Sequence, residues 1–255
     1  MNLEDLHNKT ILITGSAKRI AREIVLDLSK YKPRFILHYR NAVKEVEELL
    51  NEVKTFCSES YYIKADFSVR QERDDFIKRI SQENIDIVIN SASVFPKMDT
   101  WNNFDYELFQ KVFDVNLYTP ASIIKHVFPK GKKGIVINFL DASLDFNFTD
   151  HFIYRLSKIS FEKLTYMLAK ELAPDVRVNA ISPGAILPPA QLNEYDQIEE
   201  KKEKEEIINF YEKSKQKIPL KISGDPKYII HAVRFLIEND FLTGVNIPVD
   251  GGEFI

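Results

Sequence analysis

Tyr154 and Lys158 lie four residues apart in "YRLSK". On a helix that spacing puts both side chains on one face. A free phenol titrates at about pH 10. An ammonium beside it favours the phenolate and brings the group toward the pH at which general acid–base transfer is efficient. The same pair also arises by chance on surfaces, so its setting carries the reading. Upstream, "INFLDAS" (Ile137–Ser143) follows an apolar run. Downstream, "LAPDVRVNAISPG" (Leu172–Gly184) reads as a strand leading into a Pro-Gly turn.

A second candidate lies near the start. "ILITGSAKRIAREIVLDL" (Ile11–Leu28) reads as a strand entering a helix through a turn with one glycine. Dinucleotide-binding turns normally carry three, because backbone must come close to a pyrophosphate. Gly15 is present, but Arg19 and Ala21 stand where the other two glycines are expected.

These residues need elements to position them. Strand candidates are Thr10–Thr14, Phe35–Tyr39, Tyr61–Ala65, Ile85–Asn90, Gly134–Phe139, Val176–Ile181 and Gly244–Val249. They are short, rich in Ile and Val and apolar almost throughout, as strands buried on both faces of a parallel sheet are. Helical periods cover Ala17–Tyr31, Val43–Cys57, Gln71–Ser81, Asp105–Phe128, Phe152–Leu172 and Pro226–Glu238. The alternation predicts an α/β fold: a single doubly wound Rossmann-type domain over residues 1–255, with a mainly parallel seven-stranded sheet. Residues 187–221 break the rhythm with dense charge. They follow the sixth strand, at the sheet edge where ligands bind. A solvated surface helix explains "EEKKEKEE"; a substrate loop or lid over the site is the functional reading.

Composition sets outer bounds. The 255 residues carry 35 basic and 38 acidic side chains, a formal charge of −3, which gives no general affinity for nucleic acid. Cys57 is the only cysteine, so neither an internal disulfide nor a cysteine-based metal site can form, and no metal is expected. The polar start "MNLEDLHNK" has no signal-peptide core, and no apolar run approaches the roughly 20 residues of a membrane span. The expectation is a soluble, cytoplasmic protein with no membrane partner.

Seven motifs, in order, resemble the short-chain dehydrogenase/reductase family across nearly the whole chain. They are "TGSAKRIA", "ADFS", "NSAS", "VNL", "YRLSK", "ISPG" and "TGVNIPVDGG". The resemblance implies that Tyr154 is the proton donor, that Lys158 holds the nicotinamide ribose, and that Asn116 bends a helix and anchors a water for proton relay. It also implies a homo-oligomer, tetramer or dimer, with Asp105–Phe128 and Phe152–Leu172 in one interface.

Where the family usually places a serine, thirteen residues before the tyrosine, this chain has Asp141; Ser143 is out of register. A carboxylate accepts hydrogen bonds from an amino-substituted ring and can carry a proton. Aspartate here, with arginine at the second glycine position, resembles the pteridine reductase branch of the family. On that resemblance the first turn is rebuilt for a different ligand, with Arg19 near the phosphates or the substrate. Ser93 and Phe95 in "NSASVFP" would contact a pterin, Phe95 by stacking; from sequence, Phe95 reads equally as a core aromatic. Ser91 departs from the asparagine usual in the family.

The second strand ends in "LHYRNA", with no acid until Glu45. NAD-preferring sites place an acid there, whereas an arginine pairs bidentately with a 2′-phosphate. Arg40, with Arg19 or Lys18 nearby, points to NADP(H). The implied cofactor contacts are Gly15, Lys18, Arg19 and Ile20; His38, Tyr39, Arg40 and Asn41; Asp66 and Phe67; Asn90, Ser91 and Ala92; Tyr154 and Lys158; and Pro183, Gly184 and Ile186. Asp66 also reads as a cap for the following helix. The substrate contacts are Arg19, Ser93, Phe95, Asp141 and Tyr154. Three functions fit: an NADPH-dependent dihydropterin reductase, a carbonyl reductase acting on a 3-oxoacyl thioester or other small ketone, and a catalytically weak nucleotide-binding protein on the same fold. Fold alone does not separate them.

Overall fold

Strands that alternate between two cores must be apolar on both faces, and the central strands of this chain are. The computed structural model describes residues 1–97, 99–144, 149–187 and 204–255. Seven strands form one sheet: β1 (Thr10–Thr14), β2 (Arg34–Tyr39), β3 (Tyr61–Lys64), β4 (Ile87–Asn90), β5 (Gly134–Phe139), β6 (Val176–Pro183) and β7 (Asn246–Val249). Their order is β3-β2-β1-β4-β5-β6-β7, and every neighbouring pair is parallel. Ile11, Ile13, Ile87, Ile89, Ile135 and Ile137 enter one core, while Leu12, Val88 and Val136 enter the other. This two-residue alternation explains why the runs are unbroken Ile, Val and Leu.

Helices cover both faces: α1 (Arg19–Leu28), α2 (Val43–Lys54), α3 (Arg70–Ile80), α4 (Tyr106–Phe113), α5 (Thr119–Val127), α6 (Phe152–Glu171), α7 (Lys204–Lys217) and α8 (Pro226–Glu238). One expectation is corrected. The helix read over Asp105–Phe128 is interrupted by a wide π-type turn at Asp114–Tyr118, which separates α4 from α5. Thr119 Oγ1 donates to the Asp114 carbonyl at 2.6 Å across that turn, and Pro120, with no N–H to give, sits at the start of α5.

Strand order reverses between β1 and β4. The crevice at their carboxyl ends is where open α/β sheets bind ligands. Thr14 Oγ1 closes its floor by accepting from the Ser91 and Ala92 amides at 3.0 and 3.1 Å. No helix among the described residues is long and apolar enough to cross a membrane.

Candidate active site

A cleft of about 1140 Å³ opens at this crevice and runs from Lys18, Arg40 and Glu45 at one end to Asp141 and Tyr154 at the other. At its centre is the turn after β1. Gly15 has φ +68°, and a Cβ there would lie 3.0 Å from the Ala92 Cα, so close packing of the two strand ends requires glycine. Its amide donates to His38 Nδ1 at 3.1 Å, and the other ring nitrogen, Nε2, meets the Ala65 carbonyl at 3.0 Å. Those partners assign the proton to Nε2. Burial lowers the His38 pKa to about 4, so the ring is neutral. It stacks on Phe67 with centroids 3.9 Å apart. His38 and Phe67 border the cleft, yet their contacts make them the support of the first turn.

Arg19 stands at the second glycine position with φ +60°, a left-handed conformation unusual for a side-chain-bearing residue. Burial lowers its pKa, and the Tyr211 phenol partly offsets that effect. The described part of the charged segment therefore reaches this turn: Tyr211 and the cleft-lining Phe210 belong to α7. Residues 188–203 of the expected lid lie outside the described residues. Asp66 lines the cleft, and its Oδ1 accepts from the Ser68 amide at 2.9 Å and hydroxyl at 2.6 Å in a local turn; the expected cap is not formed, because α3 starts after Val69 with no side-chain cap.

At the other end, α6 presents Tyr154. Its amino terminus is capped from a distant loop. Asp99, 1% exposed, accepts from the Ile153 and Tyr154 amides at 2.7 Å each, and its own carbonyl accepts from the Phe152 amide at 3.1 Å. Unsatisfied N–H groups at a helix start favour such an anion. The Tyr154 hydroxyl donates to Asp141 Oδ2 at 3.1 Å. Asp141 Oδ1 accepts from the Ser143 amide at 2.8 Å and hydroxyl at 2.6 Å, and Arg155 donates to that hydroxyl at 2.6 Å. Lys158 Nζ donates to the Phe139 carbonyl at 2.8 Å and lies 5.8 Å from the Tyr154 ring centroid.

These contacts correct the expected pKa of the phenol. Burial, then the charge of Asp141 and the hydrogen bond to it, push Tyr154 well above its ordinary value; only Arg155 pulls the other way. Tyr154 therefore holds its proton at neutral pH. Burial lowers Lys158 to about 8, with Asp141 partly restoring it. The lysine's near field does not reach the hydroxyl strongly enough to win against a carboxylate in direct contact.

Asn116 occupies the wide turn and is 1% exposed. Its Oδ1 accepts from the Val94 amide at 2.8 Å and the Ser93 hydroxyl at 3.2 Å, while Nδ2 donates to the Val94 carbonyl at 3.1 Å and Ser157 Oγ at 3.0 Å. Asn116 thus joins the loop after β4 to α6 from beneath the cleft. Phe95, on that loop, is 42% exposed, so the core-aromatic alternative does not hold. Its ring meets Tyr154 edge-on at 4.6 Å and tilts over His151 at 4.0 Å.

Residues 15–253 match the family described as enoyl-(acyl carrier protein) reductase, a short-chain dehydrogenase/reductase group. The chain belongs to the short-chain dehydrogenase/reductase family. Similar proteins include a dihydromonapterin reductase of Escherichia coli, 25% identical over 96% of this chain and 96% of that one. A 3-oxoacyl-[acyl-carrier-protein] reductase FabG of Staphylococcus epidermidis is 26% identical over 97% of this chain and 100% of the other. Among solved structures, the FolM alternative dihydrofolate reductase 1 of Brucella canis, complexed with NADP, is 28% identical with a TM-score of 0.82, covering 98% of this chain and 95% of that one.

In this short-chain dehydrogenase/reductase the cleft gathers most residues singled out from sequence. Gly15, Lys18, Arg19 and Ile20 line it beside Tyr39, Arg40 and Asn41; so do Ser91, Ala92, Ser93 and Phe95, Pro183 and Gly184, and Asp141, Tyr154 and Lys158. Asn90 and Ile186 are placed otherwise. Asn90 Nδ2 donates to Asn138 Oδ1 at 2.9 Å inside the protein, and the Ile186 side chain joins the core. Sequence reasoning missed Asp99, Ser143 with Arg155, and the tail residues Glu253 and Phe254, which also line the cleft. An isolated Asp after "FPKM" gave no signal, because its partners lie 54 and 55 residues away.

The cleft fits a nicotinamide dinucleotide on three observations. The glycine turn lines the cleft, the β1/β4 ends form the crevice, and two cations, Lys18 and Arg40, line the end opposite Tyr154.

Proposed function

We propose that this oxidoreductase uses NADPH to reduce a flat, amino-bearing heterocycle, most specifically a dihydropterin. The observation that carries the reading is the hydrogen bond from Tyr154 to Asp141, with the exposed ring of Phe95 edge-on to the same phenol. A nicotinamide, when bound, supplies the hydride. The chain's own groups supply the rest. Tyr154 keeps its proton available because burial and Asp141 oppose its ionisation. Asp141, oriented by Ser143 and Arg155, offers an acceptor to ring N–H or amino groups. Phe95 offers an aromatic wall for a planar ring, a contact worth about 1–3 kcal/mol in base stacking. Lys158, whose Nζ donates to the Phe139 carbonyl, is the residue proposed to hold the ribose. Arg40 is the residue proposed to meet the 2′-phosphate. The names of the dihydromonapterin reductase and of the FolM dihydrofolate reductase complexed with NADP support this reading.

NADPH oxidation with dihydromonapterin or dihydrobiopterin, set against an acetoacetyl thioester, tests it. The expected result is turnover of a pterin and poor use of the thioester. Asp141→Ser should lose pterin turnover disproportionately while carbonyl reduction survives or rises. Efficient thioester reduction with neither pterin consumed would defeat the assignment and leave an ordinary carbonyl reductase.

A further inference from the structure

The end of β2 carries no acid in sequence until Glu45, but the fold brings Glu45 back to the cleft. It lies in the first turn of α2, and its Oε1 meets Lys18 Nζ at 2.5 Å. Lys18 immediately precedes α1. The two side chains are 27% and 25% exposed and line the same end of the cleft as Arg40 and Asn41. A helix amino terminus and a paired cation both favour an anion. Those are also the features that would hold a ribose 2′-phosphate, so the chain already places a negative charge of its own where that phosphate would seek its cations. Desolvation opposes the charge, but the bonds from Lys18 and from its own backbone amide win and hold the Glu45 carboxyl below its ordinary value.

We propose that Glu45 is a cofactor-selectivity residue whose carboxylate competes with the ribose 2′-phosphate for Lys18. The inference rests on the reading of the cleft as an NADP(H) site. A phosphate monoester carries roughly −1.5 to −2 charge at neutral pH. Binding it either draws Lys18 from Glu45 or leaves two anions sharing one ammonium. A ribose 2′-hydroxyl imposes neither cost and can itself donate to a carboxylate. Glu45 therefore narrows the gap between NADPH and NADH.

The test is calorimetric binding of NADPH and NADH to the full chain, with no substrate present. It compares wild type, Glu45→Gln, Lys18→Met and the double variant, each checked for an unchanged melting profile. Glu45→Gln should tighten NADPH by about fivefold to tenfold, the worth of one partly exposed charge contact. NADH should stay within about twofold or weaken. The gain should disappear in the Lys18→Met background. NADPH affinity that is unchanged or weaker in Glu45→Gln overturns the proposal, as does an equal gain for NADH. Wild-type protein that binds neither nucleotide defeats the cofactor reading itself, and the inference with it.

Discussion

The Tyr154 hydroxyl donates to the Asp141 carboxylate across 3.1 Å, joining α6 to the end of β5. A serine at position 141 would leave the phenol beside a neutral hydroxyl. The carboxylate instead raises the cost of ionising it, so the phenol keeps its proton at neutral pH.

Tyr154→Phe removes that proton and little else. Nucleotide binding should stay within about twofold while the reduction rate falls by roughly 10²–10⁴, the usual range for general acid catalysis. Lys158→Ala should damage both binding and rate. Steady-state kinetics beside nucleotide titration separates these outcomes. A Tyr154→Phe enzyme working at wild-type rate would refute the proton-donor role.

Asp99 should act on stability and catalysis together. Asp99→Ala leaves the Ile153 and Tyr154 amides without their acceptors inside the protein, which should cost about 2–4 kcal/mol in urea unfolding. The folded fraction should show a lower kcat with nearly unchanged nucleotide affinity, because the first turn of α6 sets where the Tyr154 hydroxyl sits. Asp99→Asn keeps one acceptor and should recover part of both losses. A normal kcat in folded Asp99→Ala would reduce Asp99 to a cap.

His38 should give the fold an acid-sensitive step. Its ring titrates near pH 6.5 when unfolded and at about 4 when folded, because burial disfavours the charged form. Between those values the unfolded chain binds the extra proton, so stability rises with pH. The contribution is intact above about pH 6.5 and is lost as the pH falls toward 4; between pH 7 and 5 the loss is on the order of 2 kcal/mol. His38→Gln can still accept from Gly15 and donate to Ala65. It should be less stable at pH 7, having lost the stack on Phe67, but should lose less on going to pH 5. Parallel denaturant curves for the two proteins at both pH values provide the check, and equal slopes would exclude His38 as the source.

Arg19 holds a conformation that glycine adopts freely. Arg19→Gly relieves a left-handed cost of about 1–2 kcal/mol, against the greater chain entropy that glycine loses on folding, and removes a desolvated cation. Stability should therefore hold or rise by up to about 1 kcal/mol. Arg19→Val, β-branched at the same φ, should lose at least about 1 kcal/mol. Thermal melts of both variants decide the order. A destabilised Arg19→Gly would mean that the side chain's contacts outweigh the backbone strain.

The sheet, its parallel character, the first turn, Tyr154, Lys158 and Asp141 were all legible in the sequence. Two-residue and helical periods, turn residues and fixed spacings are properties of short stretches, and burial on both faces writes itself into the inner strands β1, β2, β4, β5 and β6. Only the tertiary structure decided which charge meets which. Asp99 caps a helix 54 residues away, and Glu45 turns back onto Lys18. His38 spends both ring nitrogens on the main chain, and Asn90 turns inward to Asn138. The upward shift of Tyr154 follows the same logic. A polar side chain's partner, and hence its proton and its role, depends on distances that folding sets between remote segments, whereas an apolar residue needs only to know which face of its own strand or helix it is on.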